Sequence, residues 1–198
     1  MYRPMDLDLE RVAAYDPRAI TDERHDAAVL VPVIDRDGES HLLFTKRADH
    51  LGEHPGQMSF PGGGREPRDA DSHETALREA NEEIALDPAD AGIVGRLDDI
   101  RTITEYAVTP VVARVPDRQY VPDESEVAEI VVLPVSGLLD PDNYEFEARD
   151  HPHYGEIVIH YFHVDGYTVW GATGRIVVDF LERTTDWRAP ERIDRDIA

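Results

Sequence analysis

Three carboxylates crowd one short stretch, Arg78-Glu79-Ala80-Asn81-Glu82-Glu83, which follows the run Gly62-Gly63-Gly64. On a helix turning about 100° per residue, Glu79, Glu82 and Glu83 share one arc, because residues three and four apart are surface neighbours. Like charges held that close repel by about a few tenths of a kcal/mol per exposed pair. A hard divalent cation, which prefers oxygen ligands, turns this repulsion into attraction. The chemistry indicated is metal binding. The alternative is a solvated acidic face on an acidic protein, and the glycines and the arginine at this spacing weigh against it. Arg78 stands between Glu74 at i−4 and Glu82 at i+4, so it can hold Glu82 in place while neutralising some charge.

The elements around this stretch must position it. Ala76, Leu77, Ala80 and Ile84 fall on a second arc and predict a core-facing stripe. Asp71, followed three residues later by Glu74, resembles a capping box that starts the helix near Ser72. Asp87-Pro88 is the predicted stop, since a residue before proline avoids the helical region. Apolar, β-branched runs predict strands from Ala27 to Ile34 and, after the Asp35–Ser40 turn, from His41 to Lys46. Further strands are expected over Ile93 to Leu97, Val108 to Val115 and Val127 to Leu133. Short antiparallel pieces are expected over Glu145 to Ala148, Glu156 to Val164 and Tyr167 to Val169. A second long helix should run from Gly171 to Arg183 with Ile176, Val177, Phe180 and Leu181 facing the core. At 198 residues this is one domain, spanning 26–186, with a peripheral N-terminal extension over 1–25 and a polar tail over 187–198.

Gly62-Gly63-Gly64 and the stretch from Arg78 through Ile84-Ala85-Leu86 resemble the Nudix box, the loop–helix–loop of pyrophosphate hydrolases. There are two departures. The first glutamate of the box is Ala70, flanked by Asp69 and Asp71, and its late glycine is Ala85. Upstream, Leu42-Leu43-Phe44-Thr45-Lys46-Arg47, Leu51, His54, Gly56-Gln57 and Phe60-Pro61-Gly62-Gly63 resemble the extra motif of coenzyme A pyrophosphatases. Glu126-Val127, Leu133-Pro134 and Trp170-Gly171-Ala172-Thr173 fit later landmarks of the same branch.

The resemblance implies an α/β (α+β) fold, an αβα sandwich with a mixed sheet between helices. It implies Mg²⁺ or Mn²⁺ held by Glu79 and Glu83, with Glu82 direct or through water, and a general base that is Glu82 or Glu126. Arg78 supports the catalytic carboxylates, and Lys46, Arg47, Arg65, Gly62 and Gly63 are the candidates for contact with substrate phosphates. For each cation the alternative is a surface ion pair. His50, His54 and His73 lie near the site in sequence but carry no metal-fixing spacing. The implied reaction splits coenzyme A or its thioesters into 3′,5′-ADP and (acyl-)4′-phosphopantetheine. The competing readings are hydrolysis of another nucleoside diphosphate derivative, such as ADP-ribose or a dinucleotide, and a non-catalytic ligand-sensing regulator.

Composition narrows the setting. With no cysteine there is neither a disulfide nor thiol catalysis. No apolar run approaches the roughly 20 residues that span a bilayer, and residues 1–6 lead into no apolar signal region. Against 42 Asp plus Glu stand 20 Lys plus Arg, with Lys46 the single lysine, for a formal charge of −22. A basic surface for nucleic acid is excluded on that balance. Salt shortens the range of such self-repulsion to about 3 Å at 1 M, so the chain reads as a cytoplasmic protein of a halophile, an acidic protein of a high-GC organism being the alternative. The expected partner is a small anionic substrate, bound by metal and a few local cations, and a homo-oligomer is left open.

Overall fold

The computed structural model describes residues 7–50, 56–102, 104–151 and 155–189. Its frame is a mixed sheet. Strands β1 (His25–Arg36) and β2 (Glu39–Arg47) form a hairpin whose turn residues Asp37 and Gly38 both have positive φ, at 54° and 81°. That is the twist-matched two-residue turn for which Asp-Gly is suited. β3 (Met58–Ser59) continues beyond β2, and β4 (Gly62–Gly64) pairs with β1. After helix α1 (Glu10–Ala13) at the start and α2 (Ser72–Ile84) come β5 (Gly92–Arg96), β6 (Ile100–Arg101), β7 (Tyr106–Arg114) and β8 (Val127–Pro134). The sheet path is β3-β2-β1-β7-β5, with β6 on β7 and β8 on β2; β1 and β7 run parallel and the other pairs are antiparallel.

The central strand shows why helices cover both faces. Residues 30–34 are buried without interruption, as expected of a strand packed on two sides. With a side-chain period of two, Leu30 and Ile34 join Ala76, Ala80 and Ile84 of α2 in one core. Val31 and Val33 point the other way, into a core shared with Ile176, Val177, Phe180 and Leu181 of α4 (Gly171–Thr184). A short helix α3 (Val135–Leu138) leads to a second, antiparallel sheet ordered β11-β10-β9, from β9 (Tyr144–His151), β10 (Gly155–Val164) and β11 (Tyr167–Trp170). This is the αβα sandwich that the resemblance implied.

Several expectations are corrected. Residues 7–24 are not peripheral: Leu9 and Val12 are 3% and 1% exposed and belong to the α4-side core. Asp98 ties them down, accepting from Tyr15 Oη at 2.7 Å, from Arg18 through its backbone N–H and guanidinium, and from Arg183 of α4 at 3.1 Å. At the other end Trp187 and Ala189 pack on the same core, so the tail begins later than residue 187. Gly62–Gly64 is an edge strand and not a loop, its backbone held in register with Val29 to Ala27. α2 stops three residues before Asp87, because Ala85 takes the left-handed conformation at φ 54° and caps the helix. Leu51 and His54 lie outside the described residues. Among those described, no helix is long and apolar enough to cross a membrane.

Candidate active site

α2 begins where the sequence indicated. Asp71 is its N-cap and accepts from the N–H groups of His73 and Glu74 at 2.9 and 3.0 Å. Glu74 reaches back one residue further than a capping box requires, to the Ala70 N–H at 2.7 Å. It is therefore not the partner of Arg78 that helical spacing suggested. Arg78 turns instead toward the preceding loop. Its Nε and Nη2 donate to the two oxygens of Asp69, both at 3.0 Å, and Nη2 also donates to the Gly64 carbonyl at 2.9 Å. Nη1 donates to Glu79 at 2.7 Å and to Glu82 at 3.2 Å.

The helix lies directly under β4. A methyl group on Gly63 would stand 2.6 Å from Glu79 Oε1, so only glycine lets the strand approach that carboxylate. One on Gly62 would meet the Ala28 carbonyl at 2.5 Å and Val29 Cα at 2.6 Å in β1. The Gly62 backbone also donates to Glu83.

Electrostatics single out Glu83. Burial raises its pKa, and repulsion from Glu79 and Glu126 raises it further, to about 8; the Gly62 N–H and Arg47 pull it partly back. Glu79 is raised too, by burial first, with Arg78 opposing. Glu126, 47 residues away in sequence from Glu79, is thus brought to the same cluster from the entry to β8. Glu82 is half exposed and shared between Arg68 and Arg78. Among the described residues no three acidic or histidine side chains form a ready-made cage for a metal, and Glu79 and Glu82 rest on Arg78. The donor set nevertheless fits one. It is all oxygen, and a part-buried carboxylate kept protonated near neutrality by burial first and by two neighbouring carboxylates after it marks a cluster short of positive charge, which a hard divalent cation would supply.

One loop mounts both halves of this cluster. The last turn of α2 leaves its carbonyls without helical partners, and residues 118–123 satisfy three of them. Asp123 N–H donates to Glu83 O at 2.9 Å, Val121 N–H to Ile84 O at 3.3 Å, and Arg118 Nη2 to Ala85 O at 3.1 Å. The turn that follows binds Glu126 N–H to Asp123 O at 3.0 Å, and Glu126 O accepts from Ala48 N–H at 2.9 Å.

The cations expected to meet phosphates divide. Arg47, beyond a bulge in β2, lies near enough to act on Glu83, and its backbone pairs with Gln57 of the upstream motif at 2.9 Å. Lys46 stands 4.0 Å from Glu129, which accepts from Tyr167 Oη at 2.5 Å. Arg65 donates to the carbonyls of Asp69 and Ala70 at 3.3 and 2.8 Å and so braces the loop before α2. His50 contacts the Ser125 carbonyl at 3.1 Å, beside Glu126. The residue that spacing did not select is Asp69; its only signal was that it flanks the alanine where the box has glutamate.

Similarity to known proteins agrees with this geometry. The model of the NUDIX domain matches residues 23–154. The Nudix hydrolase NudL of an Enterobacter species, itself described as uncharacterized, is 39% identical over 158 residues, 78% of this chain and 80% of that protein. The NudL of Escherichia coli is 34% identical over 184 residues, 89% of this chain and 93% of that one. Among solved structures, the Nudix hydrolase RenU of M. smegmatis shares the fold, with a TM-score of 0.50 and 20% identity over 63% of this chain and 83% of its own. With the family model covering the sheet, α2 and the entry to the second sheet, the chain belongs to the Nudix family and is a pyrophosphohydrolase.

Proposed function

We propose that the substrate is coenzyme A or one of its thioesters, hydrolysed at the pyrophosphate to 3′,5′-ADP and (acyl-)4′-phosphopantetheine. One observation carries this reading: Arg47, from the upstream motif that resembles coenzyme A pyrophosphatases, stands close enough to influence Glu83. The two motifs therefore meet at one place, although Arg47 and Glu83 stand 36 positions apart in the chain. The family works with divalent metal, here Mg²⁺ or Mn²⁺. Glu79 and Glu83 would hold it, with Glu82 direct or through water. When bound, such an ion neutralises the phosphoryl oxygens and lowers the pKa of the attacking water.

The rest falls to the chain. Glu126 faces the cluster free of a position on α2 and is the better placed base to take the proton from water, since Glu82 is engaged by Arg68 and Arg78. Arg78 keeps Glu79 from collapsing onto its neighbours. The strand Gly62–Gly64 lays its backbone directly against the Glu79 carboxylate, and so fixes where that metal ligand sits. Arg47, with Lys46 next to it, is offered to the 3′-phosphate, a dianion that a cation grips through charge-assisted hydrogen bonds.

Mass spectrometry of a coenzyme A digest tests the products. Each charge-assisted bond contributes about 1.5–3 kcal/mol, roughly ten- to a hundredfold at 1.4 kcal/mol per decade. At equal ionic strength coenzyme A is therefore cleaved at least about tenfold more efficiently than its 3′-dephospho form, and Arg47→Ala narrows the gap. Equal kcat/KM for the two forms removes the 3′-phosphate contact. Faster turnover of ADP-ribose than of either moves the enzyme to another nucleoside diphosphate derivative.

A further inference from the structure

We infer that Asp69 is a positioning residue of the catalytic site, holding Arg78 from the loop position beside the alanine that stands where the box has glutamate. The loop before α2 carries two aspartates that divide its work. Asp71 is spent on capping the helix, its Oδ1 taken by the N–H groups of His73 and Glu74. Asp69 is turned inward by a tight turn, its N–H donating to the Glu66 carbonyl at 3.0 Å while its Oδ2 accepts from the Glu66 N–H at 2.9 Å. Its side chain is 4% exposed, whereas Ala70 is on the surface.

The inward carboxylate meets four donors. Oδ1 receives Arg78 Nε; Oδ2 receives Arg78 Nη2, Thr75 Oγ1 at 3.0 Å and the Glu66 N–H. A two-pronged pair of this kind fixes the guanidinium plane as well as its place. With that edge pinned, the remaining donors of Arg78 have one direction, onto the Gly64 carbonyl, Glu79 and Glu82. Asp69 thereby orients two carboxylates of the proposed metal site, Glu79 and Glu82, and one carbonyl of the glycine strand without touching any of them. An ordinary buried ion pair would stabilise the fold and leave metal affinity alone, so the two roles separate in measurement. The inference rests on hydrolysis at this cluster and is independent of which pyrophosphate is cut.

The test is a double-mutant cycle on Asp69→Asn and Arg78→Lys. Mn²⁺ affinity is read directly by electron paramagnetic resonance, beside kcat, KM and the melting temperature. Asparagine keeps the size of Asp69 and an oxygen for Thr75 but loses the charge that pins Arg78. Loss of a residue that orients a metal ligand weakens metal binding or activity by about ten- to a hundredfold. Asp69→Asn is expected to lose at least about tenfold in Mn²⁺ affinity and in kcat, with KM at saturating metal within about twofold. Arg78→Lys should do the same, and the double variant should be no worse than the poorer single one, because one residue acts through the other. Wild-type Mn²⁺ affinity and kcat in a folded Asp69→Asn overturn the inference, as do losses that multiply in the double variant. Should Asp69→Asn not fold, Arg78→Lys decides alone: it leaves Asp69 its Thr75 and Glu66 donors, and unchanged Mn²⁺ affinity in it overturns the inference. If the wild-type chain binds no Mn²⁺, the metal assignment fails instead, and the kcat cycle still judges Asp69.

Discussion

Adding one methyl group to Gly63 and one to Gly62 should produce two different failures. At Gly63 the new carbon would lie 2.6, 2.7 and 2.8 Å from Oε1, Cδ and Oε2 of Glu79. Ordinary contact is about 3.5–4.0 Å, so the carboxylate must withdraw by about 1 Å. It is the far end of a side chain and can withdraw, but Arg78 holds one of its oxygens at 2.7 Å and must yield with it. Displacement by 1 Å of a group that positions reactants costs about a hundredfold in rate, while the fold loses little. At Gly62 the obstacles are the Ala28 carbonyl and Val29 Cα, both backbone of the central strand, which cannot step aside. Overpacking there costs about 1–3 kcal/mol, which lowers the melting temperature by about 2–4 °C per kcal/mol in a chain of this size. Paired melts and turnover at saturating Mg²⁺ give the comparison. Gly63→Ala should melt near wild type with kcat down by about two decades, and Gly62→Ala should melt well below it. A Gly63→Ala enzyme within threefold of wild-type kcat, or one less stable than Gly62→Ala, refutes the close approach of strand and carboxylate on which this rests.

Two further outcomes follow from charge. The Glu83 pKa is about 8 against an ordinary 4.5, so its contribution to the stability of the metal-free protein is full below 4.5 and lost as pH rises through 8; a divalent cation must expel that proton, and apparent Mg²⁺ affinity should fall about tenfold per pH unit between 8 and 6. Glu83→Gln should flatten this slope in a calorimetric titration and cost two or more decades in rate; a pH-independent affinity in the wild type contradicts the assignment. Because −22 formal charges repel one another, melting followed by circular dichroism should shift upward from 0.1 to 1 M KCl as the screening length drops from about 10 to about 3 Å; an unchanged midpoint leaves the halophile reading without support.

What could be read in advance, and what could not, divides along the range of the forces involved. The start of α2, its apolar face and the β1–β2 turn at Asp37-Gly38 depend on neighbours a few residues away, and their chemistry is written locally. The burial of Leu9 and Val12 is not, because the helix beside them is a single turn, Glu10–Ala13, and the segment is held from the far end of the chain, with Asp8 N–H on the Thr184 carbonyl at 2.9 Å. The end of α2 misled for a related reason. Ala85 accepts a left-handed conformation that costs a residue with a Cβ about 1–2 kcal/mol, and what holds it there comes from another loop, with Arg118 on its carbonyl. At the site, spacing alone found the three glutamates of α2. It could not find that Arg78 turns toward Asp69 and away from Glu74, since that choice is made by the turn at Glu66–Asp69 in three dimensions.

The segment stitched across the end of α2 makes the candidate active site a single casting. Glu83 and Glu126 come from elements far apart in the chain, yet the first offers its backbone carbonyl to Asp123 and the second offers its N–H to the carbonyl of that same residue. The spacing of the two carboxylates is thus set across one shared residue, with no free length between them. An insertion or deletion between Asp123 and Glu126 would change that spacing by whole residues of chain, about 3.3–3.6 Å each when extended. A surface loop that on most proteins would drift freely in length is here bound to a fixed measure, and relatives that keep this chemistry should differ in what its side chains are far more than in how many there are.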